Sequence, residues 1–371
     1  MYSISGFGKM IADSIRTQAY AEALRQTIQP DSVVLDIGTG IGIFALLACR
    51  YGARKVYAVE PDPVIQVAQQ VAVANGYSDR IEFIQALTTE IGLPPADVIV
   101  SDIRGVLPLF GPNIPTVIDA RRRLLTANGI LIPQRDTIWA TLVEAPELYS
   151  RHSQPWEHEL YGFDLRLARR YTINTWGKSK VTPEKVLAEP QIWATLDYQT
   201  IESPNIEATL TWETPLSGTA HGLLLWFDTV LAPGIGYSNA PGSPELIYGS
   251  AFFPFQAPVE CATTETITVT MRANLVGDRY IWQWEAQLPQ KPFRQSTFLS
   301  QPLSRTLYKR AESYVPTVTL AGKIDALVLT KMSDGETLGA IALDLTEQFP
   351  ERFPTYPRAL AHVGNLSERY S

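Results

Sequence analysis

A doubly wound α/β domain, then an antiparallel β-barrel domain carrying an inserted arm, then a small winged-helix-like module: this is the architecture that the 371-residue sequence predicts. Three observations predict it. Between residues 31 and 132, short apolar runs alternate with helix-period stretches, the signature of a parallel sheet flanked by helices. After Pro133 the pattern becomes period-two alternation broken by Pro-Gly turns, as half-buried antiparallel strands require. Beyond residue 296 it changes again, to the spacing of a strand, a turn and two helices.

Residues 1–30 read as helical, with Met10, Ile11, Ile15, Ala19 and Leu24 at helical spacing and Pro30 as the stop. The strand candidates of the 31–132 domain are Val33–Leu35, Val56–Val59, Ile81–Ile84, Val98–Val100 and Gly129–Ile132. In the 133–295 domain the alternating runs include Thr137–Val143, Ala208–Trp212 and Thr266–Met271, with turns at Pro233-Gly234 and Pro241-Gly242. The arm, about 145–190, is rich in aromatics (Trp156, Tyr161, Phe163, Tyr171, Trp176) and too long for a bare loop. It must pack on something, and a second subunit suits it. In the 296–371 module, Leu327–Leu329 reads as a strand, Ser333-Asp334-Gly335 as a turn, and Thr337–Leu345 and Tyr356–Leu366 as helices. Thr337 and Thr355 suit N-caps, and Pro357 a first helical position.

Composition narrows the function. With 45% hydrophobic and 19% charged residues, the chain is ordinary for a globular protein. No apolar run reaches the roughly 18 residues of a membrane span, and the N-terminus lacks a signal-peptide apolar segment, so a cytoplasmic protein is expected. A net charge of −7 disfavours broad nucleic-acid binding. Cys49 and Cys261 lie far apart, and the four histidines are not clustered, so no metal site is predicted.

The most informative stretch is Val33 to Glu60. An apolar strand closes on Asp36, a turn follows with Gly38, Gly40 and Gly42, and a second strand ends on Glu60. This is one βαβ unit built around a nucleoside, with Glu60 placed to accept from both ribose hydroxyls. A dinucleotide site reads GxGxxG and offers a helix N-terminus to pyrophosphate; here the third glycine comes one residue early. Asp36 adds a carboxylate that repels pyrophosphate and suits a cation. S-adenosylmethionine, with its sulfonium and ammonium, fits best; a nicotinamide dinucleotide and a ligand-free turn are the alternatives.

Over roughly residues 2–290 the chain resembles the protein arginine methyltransferase superfamily, of the Rossmann-like class I type. Met10-Ile11-Ala12-Asp13-Ser14-Ile15-Arg16-Thr17 and Tyr20 are similar to that family's M-x-x-D-x-x-R-T-x-x-Y stretch. Asp36, Gly38, Gly40 and Glu60 match its cofactor residues, Trp156 to Asp164 its dimerisation arm, and Trp226-Phe227-Asp228 a barrel strand. The resemblance implies a homodimer that uses S-adenosylmethionine and releases S-adenosylhomocysteine. It implies that Arg16 holds the methionine carboxylate, that Thr39, Pro61 and Ser101 line the cofactor, and that Leu87 and Thr88 meet the adenine. Tyr2 or Met10 would close over the methyl group.

The departures bear on the acceptor. Where that family clamps a guanidinium with two glutamates, this chain has Asp102 and Gly111, with Arg104 between them, which points to a bacterial branch lacking the double-glutamate loop. The family's Thr-His-Trp motif is replaced by Tyr248-Gly249-Ser250. One shortened acid beside an arginine suits a neutral nitrogen better than a guanidinium. The expected function is therefore N-methylation of a peptide side chain, histidine imidazole favoured, with Asp102 and Arg104 as the catalytic pair. An arginine methyltransferase that recruits a second acid, Asp119 or Glu144, is the alternative; a cofactor-binding, non-catalytic scaffold is the other. Residues Leu329 to Ala342, with Phe349 to Phe353, are similar to PqqD-like modules, which bind the leader of a ribosomally made precursor peptide by strand addition.

Overall fold

The computed structural model describes residues 3–213, 218–261, 266–287, 292–302, 309 and 313–371, which fall into two units, 1–302 and 303–371. Tyr2 lies outside the described residues.

In the first unit, the residues expected as one helical stretch form two helices, α1 (Ile4–Ala12) and α2 (Ser14–Thr27). Asp13 separates them and caps α2, its side chain accepting from the Arg16 N–H. Arg16, Tyr20, Ala23 and Leu24 are the buried face of α2, at helical spacing. Strands β1 (Val33–Ile37), β2 (Lys55–Val59), β3 (Ile81–Ile84), β4 (Ala96–Ser101) and β5 (Leu125–Ile132) form a parallel sheet in the order β3-β2-β1-β4-β5. Helices α3 (Ile43–Arg50), α4 (Ile65–Ala74) and α5 (Asn113–Leu124) connect the strands. Central β1 and β4 are buried on both faces, which is why they read as unbroken apolar runs. Every strand expected here forms, β5 four residues earlier than its apolar run suggests.

The β domain holds two antiparallel sheets among the described residues, rather than one closed barrel. The larger runs β7 (Gly177–Ser179), β12 (Ser250–Cys261), β10 (Gly218–Ala232), β6 (Arg135–Val143), β8 (Gln191–Asp197), with β11 (Ile235–Ser238) paired to β10. The smaller runs β15 (Phe293–Ser296), β14 (Arg279–Gln287), β13 (Thr266–Val276), β9 (Ile206–Glu213). Strand β13 alternates buried Ile267, Val269, Met271 and Ala273 with less buried neighbours, the period of two that predicted it. Trp193, Phe253, Trp282 and Trp284 pack in tilted and edge-to-face pairs at ring-centroid distances of 5.1–5.5 Å. The arm carries α6 (Pro146–Ser153) and α7 (Arg166–Thr172) around a turn whose Leu160, Tyr161 and Phe163 are 55, 91 and 69% exposed.

The second unit is a three-helix assembly of α8 (Leu320–Ser333), α9 (Leu338–Gln348) and α10 (Tyr356–Tyr370) around Ile324, Val328, Ile341, Leu345 and Val363. The strand expected at Leu327–Leu329 is instead the middle of α8, and no strand occurs among the described residues of this unit. The winged-helix reading, and with it leader capture by strand addition, loses its structural basis. Thr337 caps α9 as expected, its hydroxyl accepting from Ala340 N–H; Thr355 precedes α10 without a side-chain cap. Among the described residues no helix is long and apolar enough to cross a membrane, and no group of three His, Cys, Asp or Glu is placed to hold a metal.

Candidate active site

The glycine turn folds as its composition requires. Gly38 and Gly40 adopt φ of 72° and 54°, and the Gly38 and Thr39 N–H groups donate to Val59 O at the end of β2. A Cβ on Gly40 would stand 2.5 Å from the ring of Phe7 on α1, so the N-terminal helix closes directly over the turn. Glu60 lies across from it, accepting from Gly40 N–H and Asp62 N–H, each at 3.0 Å. Thr88 and Ser101 are buried at the ends of their elements, while Pro61 and Leu87 are exposed. Met10 contributes its carbonyl, which accepts from Arg16 Nη1 at 3.3 Å.

Asp36 is fully buried at the end of β1. Its Oδ2 accepts from the Thr39 hydroxyl at 2.6 Å and from Ala45 N–H at 3.0 Å, whereas Oδ1 has no partner among the described residues. A buried carboxylate oxygen without a partner is rare and costly. Burial pushes this carboxyl up to about 7, against the pull of the Thr39 and Ala45 hydrogen bonds. An unfilled acceptor two residues before the Gly38-Thr39-Gly40 turn suits a cationic ligand, so these residues fit S-adenosylmethionine.

Asp102 has the opposite environment. Its side chain, 3% exposed, accepts from Arg16 Nε at 2.6 Å, Arg104 Nε at 3.1 Å and the Tyr248 hydroxyl at 2.6 Å, and a second Arg16 nitrogen closes the ion pair. Burial alone would raise its pKa; the two guanidinium groups and Tyr248 outweigh it and hold the carboxyl below its ordinary value. Arg104 in turn spends all five donors: Nε on Asp102, Nη1 on Asp136 (2.8 Å) and Thr229 (2.9 Å), Nη2 on the hydroxyls of Tyr20 and Tyr237. Phe227, Tyr237 and Tyr248 ring its guanidinium at 5.3–5.7 Å. Arg104 is thus a pin between the cofactor sheet and the β domain, with no donor left for an acceptor substrate.

The site therefore gathers most of the residues expected in it and assigns several of them differently. Asp119 pairs with Arg123 on the exposed side of α5, and Glu144 accepts from Thr219 N–H, so neither touches Asp102. The second carboxylate near Asp102 is Asp136, on the far side of Arg104. Tyr237 and Asp136 were not foreseen; they come from strands more than 30 residues away in sequence. Tyr20 was visible, since Asp13, Arg16 and Tyr20 sit at i, i+3 and i+7 on one helix face.

Comparison with known proteins follows the same outline. Residues 16–156 match the family described as Ribosomal protein L11 methyltransferase (PrmA), and residues 134–281 match the arginine methyltransferase oligomerization subdomain. Both descriptions are of methyltransferases. The chain is 30% identical over 246 residues to the probable protein arginine N-methyltransferase 6 of Arabidopsis thaliana, covering 64% of this chain and 55% of that one. It is 32% identical to protein arginine N-methyltransferase 1 of Schizosaccharomyces pombe, covering 59% and 66%. The chain spans about half the length of the first of these relatives. In fold it is similar to the Trypanosoma brucei PRMT1 enzyme-prozyme complex with AdoHcy (TM-score 0.72, 23% identity, 78% of this chain and 96% of that one). It is also similar to Arabidopsis thaliana protein arginine methyltransferase 10 (TM-score 0.68, 21% identity, 79% and 97%).

Two measurements test the two acids. Because Asp36 is neutral below about pH 7 in the free protein, its contribution to stability is present below pH 4 and is lost as pH rises through 7. A cation needs it ionised, so S-adenosylmethionine affinity, read by titration calorimetry, rises through pH 7, and Asp36→Asn removes that slope. Arg104→Met leaves Asp136 buried and unpaired, and lowers unfolding stability in urea by about 3–5 kcal/mol; a loss under 1 kcal/mol would show that the pin is not needed.

Proposed function

We propose that this protein is a protein N-methyltransferase whose acceptor is an arginine side chain. Its relatives by sequence are named as protein arginine N-methyltransferases, and this favours arginine over the histidine that the single-acid loop suggested. The histidine reading also needed Asp102 as a free base near neutral pH, and a carboxyl saturated by two guanidinium groups is a poor base. A carboxylate in that state binds cations well.

When bound, the cofactor supplies an already activated methyl group, so the chain's task is placement and charge. Arg16, Asp36 and Glu60 would hold it, on the carboxylate, the ammonium and the ribose. Arg16 is shared: the guanidinium assigned to the cofactor carboxylate sits on Asp102 in this structure. As Arg16 turns to the cofactor, Asp102 is left with Arg104 and Tyr248 and can take a substrate guanidinium in Arg16's place. Methyl transfer would leave the donor as a neutral thioether, and the proton lost by the acceptor nitrogen would pass to a carboxylate or to water. For the second acid, the turn between β13 and β14 touches Gly111: Asp278 O would lie 3.9 Å from a Cβ there, and the Asp278 side chain is 83% exposed.

The exposed arm tip, Leu160 to Phe163, supports a homodimer, as does the match to an oligomerization subdomain.

The decisive assay mixes protein, methyl-labelled S-adenosylmethionine and an arginine-containing protein, then analyses the acid hydrolysate. Methylarginine and S-adenosylhomocysteine are expected; methylhistidine would restore the other acceptor. Cofactor binding without turnover on any acceptor would favour the scaffold. Asp102→Asn lowers kcat/KM by about 100-fold or more. Tyr161→Asp with Phe163→Asp converts the dimer to a monomer in light scattering, and an unchanged mass would move the interface elsewhere.

A further inference from the structure

A cleft of about 660 Å³ opens beside the site, walled by the junction of α1 and α2, by α6, by β7 and by the segment 239–250. Its back wall is shared with the site. Ile247 N–H donates to Asp13 at 2.7 Å, and the next residue, Tyr248, turns inward to Asp102 and Arg16. A chain seated in the cleft is thus one residue's thickness from Asp102.

The charge of the cleft is unusual for this molecule. Lys9, Arg151, Lys178 and Lys180 line it against Asp13 and Glu245, an excess of two positive charges on a chain of net charge −7. Both acids are already engaged. Asp13 accepts from the backbone N–H of Arg16 and Ile247, and Glu245 pairs with Lys180 at 2.6 Å. Among the described residues neither Lys9 nor Arg151 has an acidic partner. Lys178 is built into the wall: its stem crosses Gly249, whose φ is 61° and whose absent Cβ would stand 2.8 Å from Lys178 Cε, and its ammonium donates to Ile247 O. A substrate region rich in lysine and arginine would be repelled here.

We infer that this cleft binds the segment flanking the acceptor residue, and that this segment is acidic. The inference rests on the reading of the protein as a protein methyltransferase. A nucleic acid is the less suitable occupant, because no aromatic side chain lines the cleft to stack a base.

The test uses the full chain with S-adenosylhomocysteine and three fluorescein-labelled probes, read by anisotropy. Two are 15-residue peptides with one Gly-Arg-Gly core, flanked by glutamates or by lysines; the third is a 15-nucleotide oligouridylate. The glutamate peptide is expected to bind about tenfold tighter than the lysine peptide in 50 mM salt, and to lose most of that advantage in 500 mM. Lys9→Glu with Arg151→Glu should abolish or reverse the preference. Equal or tighter binding of the lysine peptide, an unchanged preference in the charge-reversed variant, or tighter binding of oligouridylate would overturn the inference. S-adenosylhomocysteine release is measured in parallel with S-adenosylmethionine. Binding of the glutamate peptide without turnover keeps the cleft assignment and overturns the methyltransferase activity instead.

Discussion

The placement of Arg104 is the constraint on which the rest depends. Its guanidinium lies where the loop after β4, the N-terminal helix α2 and strands β6, β10 and β11 converge, and each of these elements gives it an acceptor. Asp136 and Thr229 face each other across the β6–β10 ladder, so one Nη1 reads the register of that pair. A slip of one residue would turn both to the opposite face. A buried charge network of this kind adds little net stability compared with apolar packing; it fixes orientation, because any other arrangement leaves a charge unmatched. Arg104 joins the loop after β4 of the parallel sheet to strands of the β domain, so this pin sets the distance between them.

Two buried acids of the same unit, Asp36 and Asp102, are in opposite states. Asp36 has an oxygen with nothing to accept from, and burial keeps its proton on. Asp102 has more donors than it needs and stays ionised. The difference follows from position: Asp36 ends β1 at a turn of backbone and small side chains, while Asp102 sits between two arginines. One carboxyl has an oxygen with no donor among the described residues, and the other is saturated by cations from within the chain.

The parallel sheet was legible because strands buried on both faces write themselves as apolar runs, and the glycine turn because glycine takes left-handed backbone angles without strain. Leu327–Leu329 misled because a three-residue apolar run carries no period; read with Leu320 and Ile324, it continues a helical stripe of i and i+4 spacing. The role of Arg104 was not legible at all. Its charge next to Asp102 suggested chemistry, and only its partners, 32 to 133 residues away, make it structural. Closure of the β domain was equally hidden, since alternation locates strands without saying how their sheets join.

The acceptor question turns on guanidinium groups competing for one carboxylate. Asp102 binds two guanidinium groups already, and its neighbour Arg104 is held by a second acid, Asp136. The chain thus contains, in its own side chains, the arrangement of one guanidinium between two acids that an arginine acceptor requires. Arg104 cannot leave, because its removal strands Asp136. Arg16 can, because it lies in the first turn of α2, its other contacts are a carbonyl, a tyrosine hydroxyl and aromatic faces, and its pairing with Asp102 is the one charge contact it makes. The position that a substrate arginine would take is therefore the one that Arg16 holds now. On the proposed function, occupation of the cofactor site and opening of the acceptor site would be two consequences of the same side chain moving.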